Sequence, residues 1–94
     1  KLKKVGIIGA GFMGAGIAYV SAQAGLEVVL IDRDQESADK GKALSHKLMT
    51  EQINRGRGNA AARDALLERI TATTDYAMLK GCDLVIEAVF EDRK

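Results

Sequence analysis

Near its start the chain runs through Val5-Gly6-Ile7-Ile8 directly into Gly9-Ala10-Gly11-Phe12-Met13-Gly14, and then into small and apolar residues at helical spacing. Few folds accommodate that order. A short β-branched run delivering the backbone into Gly-x-Gly-x-x-Gly at the head of a helix is the pattern of a dinucleotide-binding turn. The first glycine lets the chain leave the strand tightly, and the second lets a pyrophosphate approach the backbone. The third lets the new helix pack close to the sheet. Free N–H groups and the positive end of the helix dipole then face the phosphates. Glycine-rich turns are common, so the context matters. A second strand-like run, Glu27-Val28-Val29-Leu30-Ile31, ends in Asp32, 18 residues beyond Gly14, where a carboxylate serves the adenosine ribose hydroxyls. A glycine-rich turn with no ligand is the plain alternative, as is Asp32 acting only as the cap of the next helix.

The rest of the chain extends this unit. Lys4 to Ile8 reads as a strand covered on both faces. A helix follows from Phe12 to about Ala24 and is stopped by Gly25, and the second strand runs from Val28 to Ile31. Asp34 is placed to cap a long amphipathic helix reaching about Asn54, with Leu44/Leu48 and Met49/Ile53 as i, i+4 pairs. Arg55 to Asn59 breaks it, and a shorter helix spans Ala60 to Arg69 with Asn59 as its cap. Ile70 to Thr73 forms a third strand, Asp75 to Lys80 one or two helical turns ended by Gly81, and Leu84 to Val89 a fourth strand. The expected fold class is therefore α/β, a Rossmann-type parallel sheet in the order 3-2-1-4 with helices on both faces, truncated after strand four. Ligands bind at the carboxyl ends of the strands flanking the switch point. Residues just past strand four, Val89, Phe90 and Glu91, are expected to face the same crevice as Gly11.

Bulk properties narrow the function further. With 94 residues the chain is at most one domain, and the expectation is the N-terminal part of a dinucleotide-binding domain from a longer polypeptide. Fourteen basic and thirteen acidic side chains give a net charge of +1, which favours neither nucleic acid nor an anionic membrane. No apolar run has the ~20 residues of a membrane span. The lone cysteine, Cys82, has no partner for an internal disulfide, so a reducing compartment is expected.

Taken together, Gly9-Ala10-Gly11-Phe12-Met13-Gly14-Ala15-Gly16-Ile17-Ala18, Asp32, Thr74-Asp75-Tyr76 and Asp83-Leu84-Val85-Ile86-Glu87-Ala88-Val89-Phe90-Glu91-Asp92 resemble the 3-hydroxyacyl-CoA dehydrogenase family over essentially the whole chain. The chain looks most like the dehydrogenase part of the multifunctional fatty-acid oxidation protein. The resemblance implies NAD as cofactor, held at its pyrophosphate by the turn Gly9, Ala10, Gly11, Phe12, Met13 and Gly14. It also places Asp32 on the adenosine ribose and Val89, Phe90 and Glu91 along the nicotinamide half. The substrate it implies is a 3-hydroxyacyl-CoA, oxidised at its C3 hydroxyl, with Ser45 at a position that contacts coenzyme A. The family's catalytic histidine and glutamate fall downstream of Lys94, so this segment is expected to bind NAD and not to turn over substrate. It also implies a bacterial cytoplasm, with the mitochondrial matrix or peroxisome as alternatives. Rival readings are another NAD(P) hydroxyacid dehydrogenase of the 3-hydroxyisobutyrate type, or a non-catalytic nucleotide-binding protein of the same fold.

Several residues have plainer readings. The carboxylate of Asp32 repels a 2′-phosphate and argues for NAD over NADP, while Arg33 lies over the adenine or in solvent. His46, the only histidine, sits in a polar helical stretch and reads as a solvated side chain. Cys82 reads as a packing residue. Lys40, Lys42, Lys47, Arg55 and Arg57 form a solvated helix face or assist the phosphates of coenzyme A. Glu87 interrupts an apolar strand and is expected to be a buried carboxylate with partners. Strand four is expected to present an unpaired edge that invites self-association.

Overall fold

A computed structural model describes residues 2–88. Among them, the chain runs β1 (Lys4–Ile8), α1 (Phe12–Gln23), β2 (Glu27–Ile31), α2 (Gln35–Asn54), α3 (Ala60–Glu68) and β3 (Ile70–Thr73). A 3-10 turn (Tyr76–Leu79) and β4 (Leu84–Glu87) complete it. The strands form one parallel sheet in the order β3-β2-β1-β4. Val5 pairs with Val28 and Leu84, and Ile8 with Ile31 and Glu87, so β1 is central. The fold is the Rossmann-type sheet anticipated above.

Side-chain alternation sorts the two faces. Val5 and Ile7 of β1, Val28 and Leu30 of β2 and Ile70 of β3 are buried in one cluster with Ala18 and Ala22 of α1 and Leu66 of α3. Long α2 lies on the same face, where a methyl group added to Gly41 would stand 2.9 Å from Leu30 Cδ2. The opposite face carries Gly6, against which the 3-10 segment packs. A methyl group there would collide with Leu79 and come within 3.2 Å of Cys82 Sγ. Cys82 is half-buried in that contact, as a packing residue should be.

Two local results concern solvation, and the second differs from expectation. In α1 the buried residues are the small ones, Gly14, Ala15, Ala18 and Ala22, while Met13 and Val20 are exposed. Small side chains allow close helix-to-sheet approach, and the larger apolar ones are left on the outer face. Glu87 is exposed, so it is not the buried carboxylate expected. It lies in β4, which among the described residues pairs only with β1, so water rather than protein solvates it. The cap assignments stand: Asp34 accepts from Ser37 N–H at 2.7 Å and Asn59 from Ala62 N–H at 2.8 Å. His46 is exposed, in keeping with its polar surroundings.

Candidate functional site

The carboxyl ends of β1 and β2 open into a cleft of about 790 Å³, within the size range of cofactor sites. Gly9, Gly11, Phe12 and Met13 line it, together with Asp32, Arg33, Tyr76 and Ala88. The sheet ladder carries the chain to its lip. Gly9 N–H donates to Ile31 C=O at 2.7 Å and Ala88 N–H to Ile8 C=O at 2.8 Å, so both residues leave directly from paired strands.

The three glycines of the turn have different physical reasons to be glycine. Gly9 has φ of 105°, a conformation that L side chains rarely adopt. Gly14 is packed so closely under the turn that an added Cβ would collide with the carbonyl oxygen of Gly9, with Ile7 Cγ2 also 3.4 Å away. Gly11 has neither constraint. Its φ and ψ of −69° and −169° suit any residue, and nothing lies within 4 Å of where its Cβ would be. The fold does not require glycine at this position, and Gly11 lines the cleft.

Electrostatics mark the same spot. A helix start leaves backbone N–H groups without intrahelical partners, and a side chain commonly caps them. Asp34 does so for α2, Asn59 for α3 and Asp75 for the 3-10 turn. The start of α1 at Gly11 has no side-chain cap and no acidic residue in its first turn. Among the described helices, the one aimed into the cleft alone lacks a side-chain cap.

Asp32 stands beside that helix start. One carboxylate oxygen accepts from Ala10 N–H at 2.9 Å and the other from Arg33 N–H at 2.7 Å. The first bond ties the tip of β2 to the glycine turn across 22 residues of sequence. A carboxylate has about four lone-pair sites, so after these two bonds it retains acceptor capacity toward the cleft. Asp34, not Asp32, caps α2. Asp34 is held below its ordinary pKa by the Ser37 N–H it accepts, with Arg33 and Lys40 contributing less.

The turn residues and Asp32 are thus brought together. Val89, Phe90 and Glu91 lie outside the described residues; the last one before them, Ala88, lines the cleft. Ser45 is apart from it. It is fully buried, on the α2 face it shares with Ala38 and Gly41, and its hydroxyl has no partner among the described residues. No ligand reaches it in this arrangement. Tyr76 is a cleft residue that sequence reasoning missed. The available signal was an aromatic residue three positions beyond a strand's carboxyl end, where this class of fold binds ligands. No group of three or more His, Cys, Asp or Glu side chains suited to a metal occurs among the described residues. No described helix is long and apolar enough to cross a membrane.

Comparison with known proteins gives the same assignment. Residues 4–94 match the model of the 3-hydroxyacyl-CoA dehydrogenase NAD-binding domain. The chain is 38% identical over 93 residues to the fatty acid oxidation complex subunit alpha of Colwellia psychrerythraea, covering 99% of this chain and 13% of that protein. It is 43% identical over 91 residues to a probable 3-hydroxybutyryl-CoA dehydrogenase of Deinococcus radiodurans, covering 97% of this chain and 32% of that one. Among solved structures, (S)-3-hydroxybutyryl-CoA dehydrogenase from Ralstonia eutropha superposes with a TM-score of 0.92 at 38% identity, over 99% of this chain and 33% of that one. The chain therefore spans a third or less of the length of these relatives.

Proposed function

This chain belongs to the family of NAD-binding domains of 3-hydroxyacyl-CoA dehydrogenases, and from that premise we propose that its cleft holds NAD for a dehydrogenase acting on 3-hydroxyacyl-CoA. The observation that carries the reading is the open space at Gly11 beside the uncapped start of α1. A pyrophosphate fits there for two reasons: unpartnered N–H groups need acceptors, and the absent side chain gives phosphate access to the backbone. Gly9, Ala10, Gly11, Phe12, Met13 and Gly14 form the phosphate cradle in this reading. Asp32 accepts the ribose hydroxyls with its remaining lone pairs, while its negative charge repels a 2′-phosphate.

The chemistry of the whole protein follows from the same proposal. NAD supplies the hydride acceptor, and the residues here bind and orient it. Removal of the C3 hydroxyl proton falls to residues outside this segment, which is the N-terminal part of the nucleotide-binding domain. The bacterial relatives support a bacterial cytoplasm for the parent protein.

Calorimetric titration with NAD and NADP tests the assignment. Binding of NAD with clear preference over NADP is expected. Preference for NADP overturns the role of Asp32, and no binding of either overturns the cleft assignment. A second part of the proposal concerns the β4 edge, where Leu84 and Val85 are each 43% exposed. An open strand edge bearing apolar side chains is a template for pairing. We expect species larger than a monomer in gel filtration as concentration rises, and a strict monomer at every concentration removes this part alone.

A further inference from the structure

We infer that Tyr76 holds the adenine ring of the dinucleotide and is the main side-chain determinant of affinity at the base end of the cleft. The inference rests on the cleft being the dinucleotide site. If phosphate lies at Gly11 and ribose at Asp32, the base attached to that ribose lies within one sugar's width of Asp32, away from the glycine turn. Two cleft residues are tied to Asp32: Arg33, its neighbour in the chain, and Tyr76, three residues beyond the Thr73 carbonyl that Asp32 N–H bonds.

Tyr76 is held there by a chain of hydrogen bonds. Asp32 N–H donates to Thr73 C=O at 3.3 Å, which sets the end of β3 beside Asp32. Thr73 Oγ1 accepts from Asp75 N–H at 3.1 Å, and the Asp75 carboxylate accepts from Ala77 N–H at 2.9 Å. These bonds define the backbone on both sides of Tyr76 and start the 3-10 turn. Tyr76 nevertheless remains 53% exposed, in a protein with only two tyrosines, two phenylalanines and no tryptophan. Its backbone is fixed while the residue stays more than half exposed and lines the cleft. An aromatic ring so placed offers a base a stacking surface, an interaction that tolerates any base but requires a ring.

The experiment compares ligands that contain or lack the base, on the 94-residue chain. Tyr76→Ala is expected to weaken ADP-ribose and NAD binding to the same extent, roughly tenfold. Tyr76→Phe keeps the ring and is expected to bind within about twofold of the parent. Tyr19→Phe makes Tyr76 the only tyrosine, and its fluorescence should then be quenched by ADP-ribose and not by nicotinamide mononucleotide, whether or not the alanine variant folds. Unchanged ADP-ribose affinity in folded Tyr76→Ala, or no quenching by bound ADP-ribose, overturns the inference and leaves the cleft assignment standing. Failure of the unaltered chain to bind ADP-ribose overturns both.

Discussion

At Gly11 nothing within the chain requires glycine, and Asp32 both ties β2 to the glycine turn and lines the cleft. Gly11→Ala adds a methyl group where no protein atom lies within 4 Å, in a backbone conformation that alanine adopts freely. Stability should therefore change by only a few tenths of a kcal/mol to about 1 kcal/mol, the range for alanine replacing glycine at a helix cap. NAD affinity should fall at least about tenfold, because the methyl group occupies the phosphate's approach. Thermal melts paired with calorimetry separate the two effects, and unchanged affinity in a folded variant would count against the cradle. Asp32→Ala removes the acceptor for Ala10 N–H and, on the proposed reading, the ribose ligand. A loss of roughly tenfold or more in NAD affinity is expected, since hydrogen bonds to a charged group contribute about 1.5–3 kcal/mol each. The far-UV circular dichroism should stay unchanged, because the bond lost is in a turn.

Between elements, the close fit of α1 to the strand it follows is set at Gly14. A side chain there meets a backbone carbonyl, which unlike a flexible side chain cannot swing aside. Gly14→Ala is expected to destabilise the fold by about 1–3 kcal/mol or more, read from chemical denaturation. It is thus the counterpart of Gly11→Ala, three residues away, with the effect on stability instead of on ligand. The caps of the other helices act independently of the cleft. Asn59→Ala removes the acceptor for Ala62 N–H and should cost about 1 kcal/mol with NAD affinity unchanged. If Asn59→Ala lowers NAD affinity as Gly11→Ala does, the separation of scaffold from site is wrong. These positions are legible in the order of residues because caps and glycine turns are local: strand, turn and helix lie within a dozen residues.

For the molecule as a whole, the tie between β1 and the approach to β4 contributes to its response to acid. Asp83 at the approach to β4 accepts from Lys3 N–H at 2.7 Å and Lys4 N–H at 3.0 Å, while its own N–H donates to Lys4 C=O at 2.8 Å. The two accepted bonds hold the Asp83 carboxyl below its ordinary value of 3.8. Asp34 is lowered as well, chiefly by Ser37 N–H. A carboxylate depressed on folding contributes stability that is fully present above its unfolded pKa and is lost as pH falls through the lower folded value. Denaturation midpoints should hold from neutral pH to about pH 5 and decline below about pH 4. Asp83→Asn should lower stability near neutrality and flatten part of that decline, and parallel curves for the two proteins would exclude the clamp as its source. Sequence offers no hint of this bond, since its partners are 79 and 80 residues apart.

From residue order alone came the strands, the caps, the sheet order and the glycine turn with its acid, because each rests on short-range periodicity, backbone chirality or a local hydrogen bond. Folding in three dimensions settled what depends on neighbours distant in the chain. Burial of the Ser45 hydroxyl, exposure of Glu87 on β4 and the bond from Ala10 to Asp32 are of that kind, as is the meeting of Tyr76 with the cleft. A side chain's solvation is set by whatever packs over it, and contacts across the sheet exist only after the parallel crossovers bring the strand ends together.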